Sequence, residues 1–139
     1  MHTSVAGSNH FPRWSKYKLL EQLWEHKYNV EENIRNSGFR YWTNLYPCWF
    51  MENFVEPLAT YKLKNGILFG TMKGDTFLML NSGEDTAKFA RSALEAPQKF
   101  HGKDINIASE ELSVTEIAET MSRVFDKRGK LQGTLYAME

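Results

Sequence analysis

Apolar positions recur along this chain with two different periods. Leu20, Leu23, Trp24, Lys27, Val30 and Ile34 fall near helical spacing. They predict one long helix from about Ser15 to Asn36 with these side chains on one face. Ser37-Gly38 ends it, because glycine accepts the left-handed backbone just past a helix. Arg40 to Tyr46 is aromatic and β-branched, which predicts a strand closed by Pro47. Phe50 to Val55 predicts a short helical turn before Pro57. Ahead of the long helix, His2-Thr3-Ser4-Val5 reads as the tail of a strand and Ala6-Gly7-Ser8-Asn9 as the loop after it. Residues 8–16 read as irregular loop, broken at Pro12.

The second half alternates in the same way. Gly66, Gly70 and Gly74 punctuate a stretch in which Ile67-Leu68-Phe69 and Thr76-Phe77-Leu78-Met79-Leu80 are candidate strands. A helix follows from Glu84 to about Glu95, with Glu84 and Asp85 in the first turn where the helix dipole favours them and Pro97 closing it. Asp104-Ile105-Asn106-Ile107-Ala108 alternates as a short strand does. Ser113-x-x-Glu116 is a capping box that opens a helix whose apolar face is Val114, Ile117, Met121, Val124 and Phe125. Lys127, Arg128 and Gly129 suit its end. Strands alternating with helices, without repeats or low-complexity tracts, predict an α/β class.

Composition narrows the functions. Lysine plus arginine and aspartate plus glutamate number 17 each, so no net field favours nucleic acid or an anionic membrane. No apolar run approaches the ~20 residues that cross a bilayer, and the first residues are too polar for a signal peptide. Cys48 is the single cysteine, which excludes an internal disulfide and fits a reducing compartment. The expectation is a cytoplasmic protein. His2, His10, His26 and His101 lack metal-ligand spacing, so no metal site is expected. Cys48 has no histidine nearby in sequence and reads as a packed thiol. Glu31-Glu32 and Glu110-Glu111 are adjacent pairs that diverge on a helix and read as solvated charges.

Two segments are candidates for chemistry. Lys27 lies four after Leu23 and three before Val30, so its stem shares the apolar face of the long helix. There its ammonium either reaches a ribose or carbonyl, or snorkels to water. Tyr41-x-Thr43-x-x-Tyr46-Pro47-x-x-Phe50-Met51-Glu52-Asn53 runs from a strand into a tight turn. Ligands of open α/β sheets bind at such carboxyl ends, but an ordinary aromatic strand with a proline turn reads equally well. Two motifs are missing. No G-x-G-x-x-G stretch cradles a pyrophosphate, and no Tyr-x-x-x-Lys pair supplies the proton donor of a short-chain dehydrogenase.

Three collinear segments resemble the NmrA-like family of atypical short-chain dehydrogenase/reductase proteins. They are His2–Gly7; Lys27–Phe39 running on through Thr43, Pro47 and Phe50–Asn53; and Gly83–Ala90 followed by Pro97 and Gly102–Ala118. Ala87 departs from the family's usual glycine. The resemblance implies a partial Rossmann-like parallel sheet with flanking helices and a remnant of the small C-terminal substrate lobe. It implies one domain, residues 1–139, truncated at its N-terminus, with the glycine-rich half absent. It implies NAD(P) as cofactor, with binding by this chain alone impaired. Lys27 matches the lysine near the ribose and nicotinamide, the residue that would act in catalysis, and Thr3, Ser4, Tyr46, Pro47, Phe50 and Asn53 match cofactor-lining positions. The function implied is a redox-sensing regulator or an NAD(P)-dependent oxidoreductase. The alternatives are a non-catalytic dimerisation or partner-binding module and a degenerate gene fragment. A homo-oligomer or partner protein would pair with an exposed sheet edge at His2–Val5.

Overall fold

The computed structural model describes residues 1–11, 18–54, 62–64, 67–69 and 72–125. In chain order these form β1 (His2–Thr3), α1 (Lys18–Asn36), β2 (Thr43–Pro47), β3 (Trp49–Phe50), β4 (Lys62–Lys64), β5 (Ile67–Phe69), β6 (Phe77–Asn81), α2 (Gly83–Glu95), α3 (Pro97–Phe100), β7 (Lys103–Ile107), β8 (Glu110–Ser113) and α4 (Val114–Phe125). Tight 3-10 turns lie at Ser8–His10 and Met51–Phe54. The start of the long helix before Lys18, the turns at Pro12, Pro57, Gly66 and Gly70, and the basic end expected at Lys127–Gly129 fall outside the described residues. The chain divides into two compact units, Met1–Cys48 with Glu84–Ile107, and Trp49–Gly83 with Ala108–Glu139.

The first unit carries a parallel sheet of order β1-β2-β7, which meets the α/β expectation. The register sets His2 against Asn44 and Asn44 against Asp104, then Thr3 against Leu45 and Leu45 against Ile105. The ladder runs on past the short first strand. Ser4 N–H donates to the Leu45 carbonyl at 2.8 Å and Ala6 N–H to that of Pro47 at 3.0 Å. Side chains alternate across a strand, so Asn44 and Tyr46 share one face of β2 and Leu45 and Pro47 the other. Leu45, Tyr46 and Ile107 are buried. Gly38 follows α1 with φ 70°, the left-handed conformation expected there.

The second unit has its own core. β6 pairs in parallel with β3 and antiparallel with β8, and β4 and β5 form an antiparallel pair. Phe54, Leu80, Val114, Ile117 and Ala118 are buried together, with Trp49, Leu78, Leu112 and Met121 against them. The capping box forms as the sequence predicts. Glu116 N–H donates to Ser113 Oγ at 3.2 Å, and Ser113 N–H donates to Glu116 Oε2 at 2.7 Å. Val114 and Thr115 N–H donate to the carbonyls of Thr76 and Gly74, so the first-turn amides of α4 have acceptors.

Several expectations need correcting. β2 begins at Thr43, not Arg40, and Pro47 is its last paired residue, opposite Ile107. A parallel strand tolerates proline there because the ring removes a single donor at the strand's end. α2 ends at Glu95 as expected, and Pro97 in addition opens α3 at its first turn, where a missing N–H costs no bond. Ser8–His10 forms a 3-10 turn in place of the expected irregular loop. Glu110-Glu111 lie on strand β8, not on a helix, and both stay exposed. On α1, Val30 is 43 % exposed while Glu31 is fully buried, which reverses the expected face at that turn.

Ser113→Ala is expected to lower stability by about 1 kcal/mol in urea unfolding, the usual cost of losing a serine N-cap. The two hydrogen bonds from Ser113 hold the Glu116 carboxyl below its ordinary range. That contribution is present above the unfolded carboxyl's pKa and fades as pH falls through the lower folded value. The stability gap between wild type and Glu116→Gln should therefore close below about pH 4.

Candidate functional site

The first unit buries a charge. Glu31 is 0 % exposed, and three hydroxyls and one guanidinium surround its carboxylate. Ser4 Oγ donates to Oε1, and Ser8 Oγ lies 2.5 Å from the same oxygen. Tyr46 donates to Oε2 at 3.0 Å, and Arg35 Nη2 stands 3.8 Å from it. An ionised carboxylate only accepts hydrogen bonds, so hydroxyl donors on both oxygens meet its requirement away from water.

Local chemistry explains each placement. Ser4 is the first residue past β1, and Gly7, at φ 87°, turns the chain so that Ser8 comes back toward it at 3.0 Å between hydroxyls. Tyr46 lies on the face of β2 opposite Leu45 and Pro47. Glu31 and Arg35 are one helical turn apart on α1 and so stack along one face. Arg35 continues the network to the next strand. Its Nη2 donates to Tyr46 Oη at 2.8 Å and to Asp104 Oδ2 at 2.6 Å, and Asn44 Nδ2 reaches Asp104 Oδ1 at 3.1 Å. The register then puts His2, Asn44 and Asp104 in one row and Ser4, Tyr46 and Asn106 in the next. The α1-facing side of this sheet is a polar layer, while Leu45 and Ile107 pack on the other side.

The electrostatics follow from burial. Burial, then the bond to Glu31, raises the Tyr46 phenol far above its ordinary range, so Tyr46 remains a donor to the carboxylate. For Arg35, burial works against the charge, but Asp104, Tyr46 and Glu32 outweigh it and raise its pKa. Burial lowers His2, Glu31 opposes that, and Lys27 and the N-terminal ammonium add to it. The charges of Lys27 and Glu31 therefore both act on the first strand. Burial also raises the Cys48 thiol, which keeps it protonated and a poor nucleophile, in line with a packed cysteine.

The helix sets the position of Lys27. Arg35 meets Asp104, near the start of β7, and Glu31 one turn earlier meets Ser4 and Ser8, past the end of β1. Lys27 lies one further turn toward the helix N-terminus, about 5–6 Å on, in the direction of the strands' carboxyl ends. Thr3, Ser4, Lys27, Tyr46 and Pro47 thus belong to one unit, with Lys27 half-buried, Ser4 and Tyr46 buried, and Pro47 at the strand end. Phe50 and Asn53 belong to the other unit, where the turn beside them performs a separate task. There Glu52 Oε1 accepts from Gly83 N–H at 2.8 Å and caps α2. Among the described residues no group of three histidine, cysteine, aspartate or glutamate side chains could hold a metal.

Sequence reasoning misses Glu31, although Trp24, Lys27, Glu31 and Ile34 are spaced by three, four and three residues, as an inward stripe requires. Arg35→Ala is expected to lower stability by about 3 kcal/mol in urea unfolding, since it leaves Asp104 and the buried Glu31 without their cation.

A family profile, the NmrA-like family, matches residues 8–133. No curated protein matches the chain. Among solved structures, NmrA, a negative transcriptional regulator, in complex with NAD superposes with a TM-score of 0.66 at 18 % identity, covering 96 % of this chain and 43 % of that one. NmrA in complex with NADP gives 0.65 at 20 % identity, covering 92 % and 41 %. A doubly substituted NmrA gives 0.67 at 19 % identity, covering 96 % and 43 %. The chain thus spans about two fifths of the length of these structures and shares their Rossmann-like architecture over that part. With a profile match over nearly its whole length, the chain belongs to the NmrA-like family.

Proposed function

We propose that this chain contributes to a dinucleotide site at the carboxyl edge of the β1-β2-β7 sheet and serves in sensing NAD(P), not in hydride transfer. The observation that carries the reading is Lys27, held one helical turn beyond the buried Glu31 at the edge where Ser4 and Pro47 end their strands. Ligands of open parallel sheets bind at that edge, and a lysine is suited to ribose hydroxyls or a carbonyl. The solved NmrA structures hold NAD and NADP, which supports the cofactor class. In this reading Lys27 faces the cofactor, Ser4 and Tyr46 hold the surrounding backbone, and family resemblance alone assigns Thr3. Family resemblance alone assigns Phe50 and Asn53 to the nicotinamide end.

One sequence feature and one structural feature favour sensing. No Tyr-x-x-x-Lys pair supplies a proton donor, and the one tyrosine of the network, Tyr46, has its hydroxyl engaged by Glu31 and Arg35. No glycine-rich phosphate loop occurs within these 139 residues, so the pyrophosphate gains little here and affinity is modest. A second reading, a partner-binding module, has its own support. β1 is an edge strand, paired on one side alone among the described residues, and edge strands recruit other chains.

Titration of the 139-residue chain with NADP(H) and NAD(H), followed by calorimetry, tests the first reading. Saturable binding near 10 µM, about 7 kcal/mol, is expected, and Lys27→Ala should weaken it about tenfold. No turnover of simple carbonyl substrates is expected with either reduced cofactor. Absence of binding up to millimolar concentration removes the nucleotide reading. A molecular mass that rises with concentration would then favour the edge-pairing module.

A further inference from the structure

Glu31 has no part in the function proposed above. Its side chain is wholly buried and hydroxyl donors cover both carboxylate oxygens, so it touches no ligand. It does touch the loop that leaves β1. That segment, Ser4 to Ser8, departs at the carboxyl edge of the sheet from a strand of only two residues. Its backbone is tied to β2 by Ser4 N–H to Leu45 and Ala6 N–H to Pro47. Its two serines, four residues apart, converge on the single oxygen Oε1 of Glu31. The other oxygen is fixed through Tyr46 to Arg35 and on to Asp104. The loop is therefore clasped to α1 at a point one turn from Lys27.

We infer that Glu31 is a positioning residue that locks the Ser4–Ser8 loop to α1 and so fixes the distance between that loop and the Lys27 ammonium at the dinucleotide edge. The inference rests on the nucleotide reading for its consequence, and on geometry alone for the clasp. The carboxylate is suited to the task. One oxygen accepts from two hydroxyls at once, while the other anchors to the strand below. The substitution Glu31→Gln keeps an oxygen for both serines and gives up the acceptor for Tyr46. Glu31→Ala gives up both.

Hydrogen exchange read residue by residue, on the full chain with and without NADP(H), separates the clasp from general stability. In Glu31→Ala the amides of Ala6 and Ser8 should exchange about tenfold faster or more, while those of the β2-β7 ladder change less than about threefold. Glu31→Gln should restore most of the loop protection. Cofactor affinity should fall about tenfold in Glu31→Ala and about threefold in Glu31→Gln. If Glu31→Ala does not fold, Ser8→Ala replaces it. That variant removes one arm of the clasp and leaves the carboxylate with Ser4, Tyr46 and Arg35, and the same loop-specific loss is expected at reduced size. Exchange that rises equally in loop and ladder, or a loop that stays protected, overturns the inference. A wild-type chain that binds no dinucleotide overturns the nucleotide reading alone, and the exchange pattern still decides whether Glu31 holds the loop.

Discussion

A carboxylate with no access to water constrains the first unit more than any other group. Moving a charge into a protein interior costs several kcal/mol unless hydrogen bonds replace its hydration. Glu31 obtains those bonds from two elements, the loop after β1 and strand β2, and gains an ion pair from Arg35 on its own helix. The result ties together segments that the chain separates by 27, 23 and 15 positions. Arg35 then extends the tie to β7, and its charge partly balances those of Glu31, Glu32 and Asp104. Helix and sheet here are joined by polar chemistry where most parallel sheets rely on aliphatic packing.

The second unit rests on the opposite principle. Its core is a cluster of Phe54, Leu80, Val114, Ile117 and Ala118, with polar contacts at helix ends such as Ser113–Glu116 and Glu52–Gly83. Apolar burial is non-directional and tolerates substitution of similar volume. A polar layer does not, because each donor needs its acceptor at the right place. The same chain therefore holds one region specified by volume and another specified by geometry.

That contrast explains what can be read from the sequence. The capping box, the helix over Val114–Phe125 and the strand at Lys103–Ile107 are visible because their signals are local. Family membership is visible because short motifs recur in order. β8 is not visible: Glu110-Glu111-Leu112-Ser113 has no strand signature and forms because β6 offers it an antiparallel edge. The facing of α1 at Val30 and Glu31 is hidden for the same reason. A glutamate next to another glutamate reads as solvated until its hydroxyl partners, Ser4, Ser8 and Tyr46, are known to converge on it. The spacing around Lys27 is enough to put that lysine on the inward stripe, but it does not reveal the residue that sets its surroundings.

The shortness of β1 has a consequence for how the sheet assembles. β1 is short, and its ladder with β2 ends at Ala6. Sliding it by one residue would turn His2 and Ser4 toward the aliphatic side and present Thr3 and Val5 to the carboxylate. Thr3 could offer one hydroxyl, but Val5 offers none, so Oε1 would lose its bond from Ser4 while Tyr46 and Arg35 stay on Oε2. The misaligned state is thus penalised at the buried carboxylate as well as along the ladder. Glu31 thereby adds to the register: the buried negative charge favours the alignment that brings Ser4 to it.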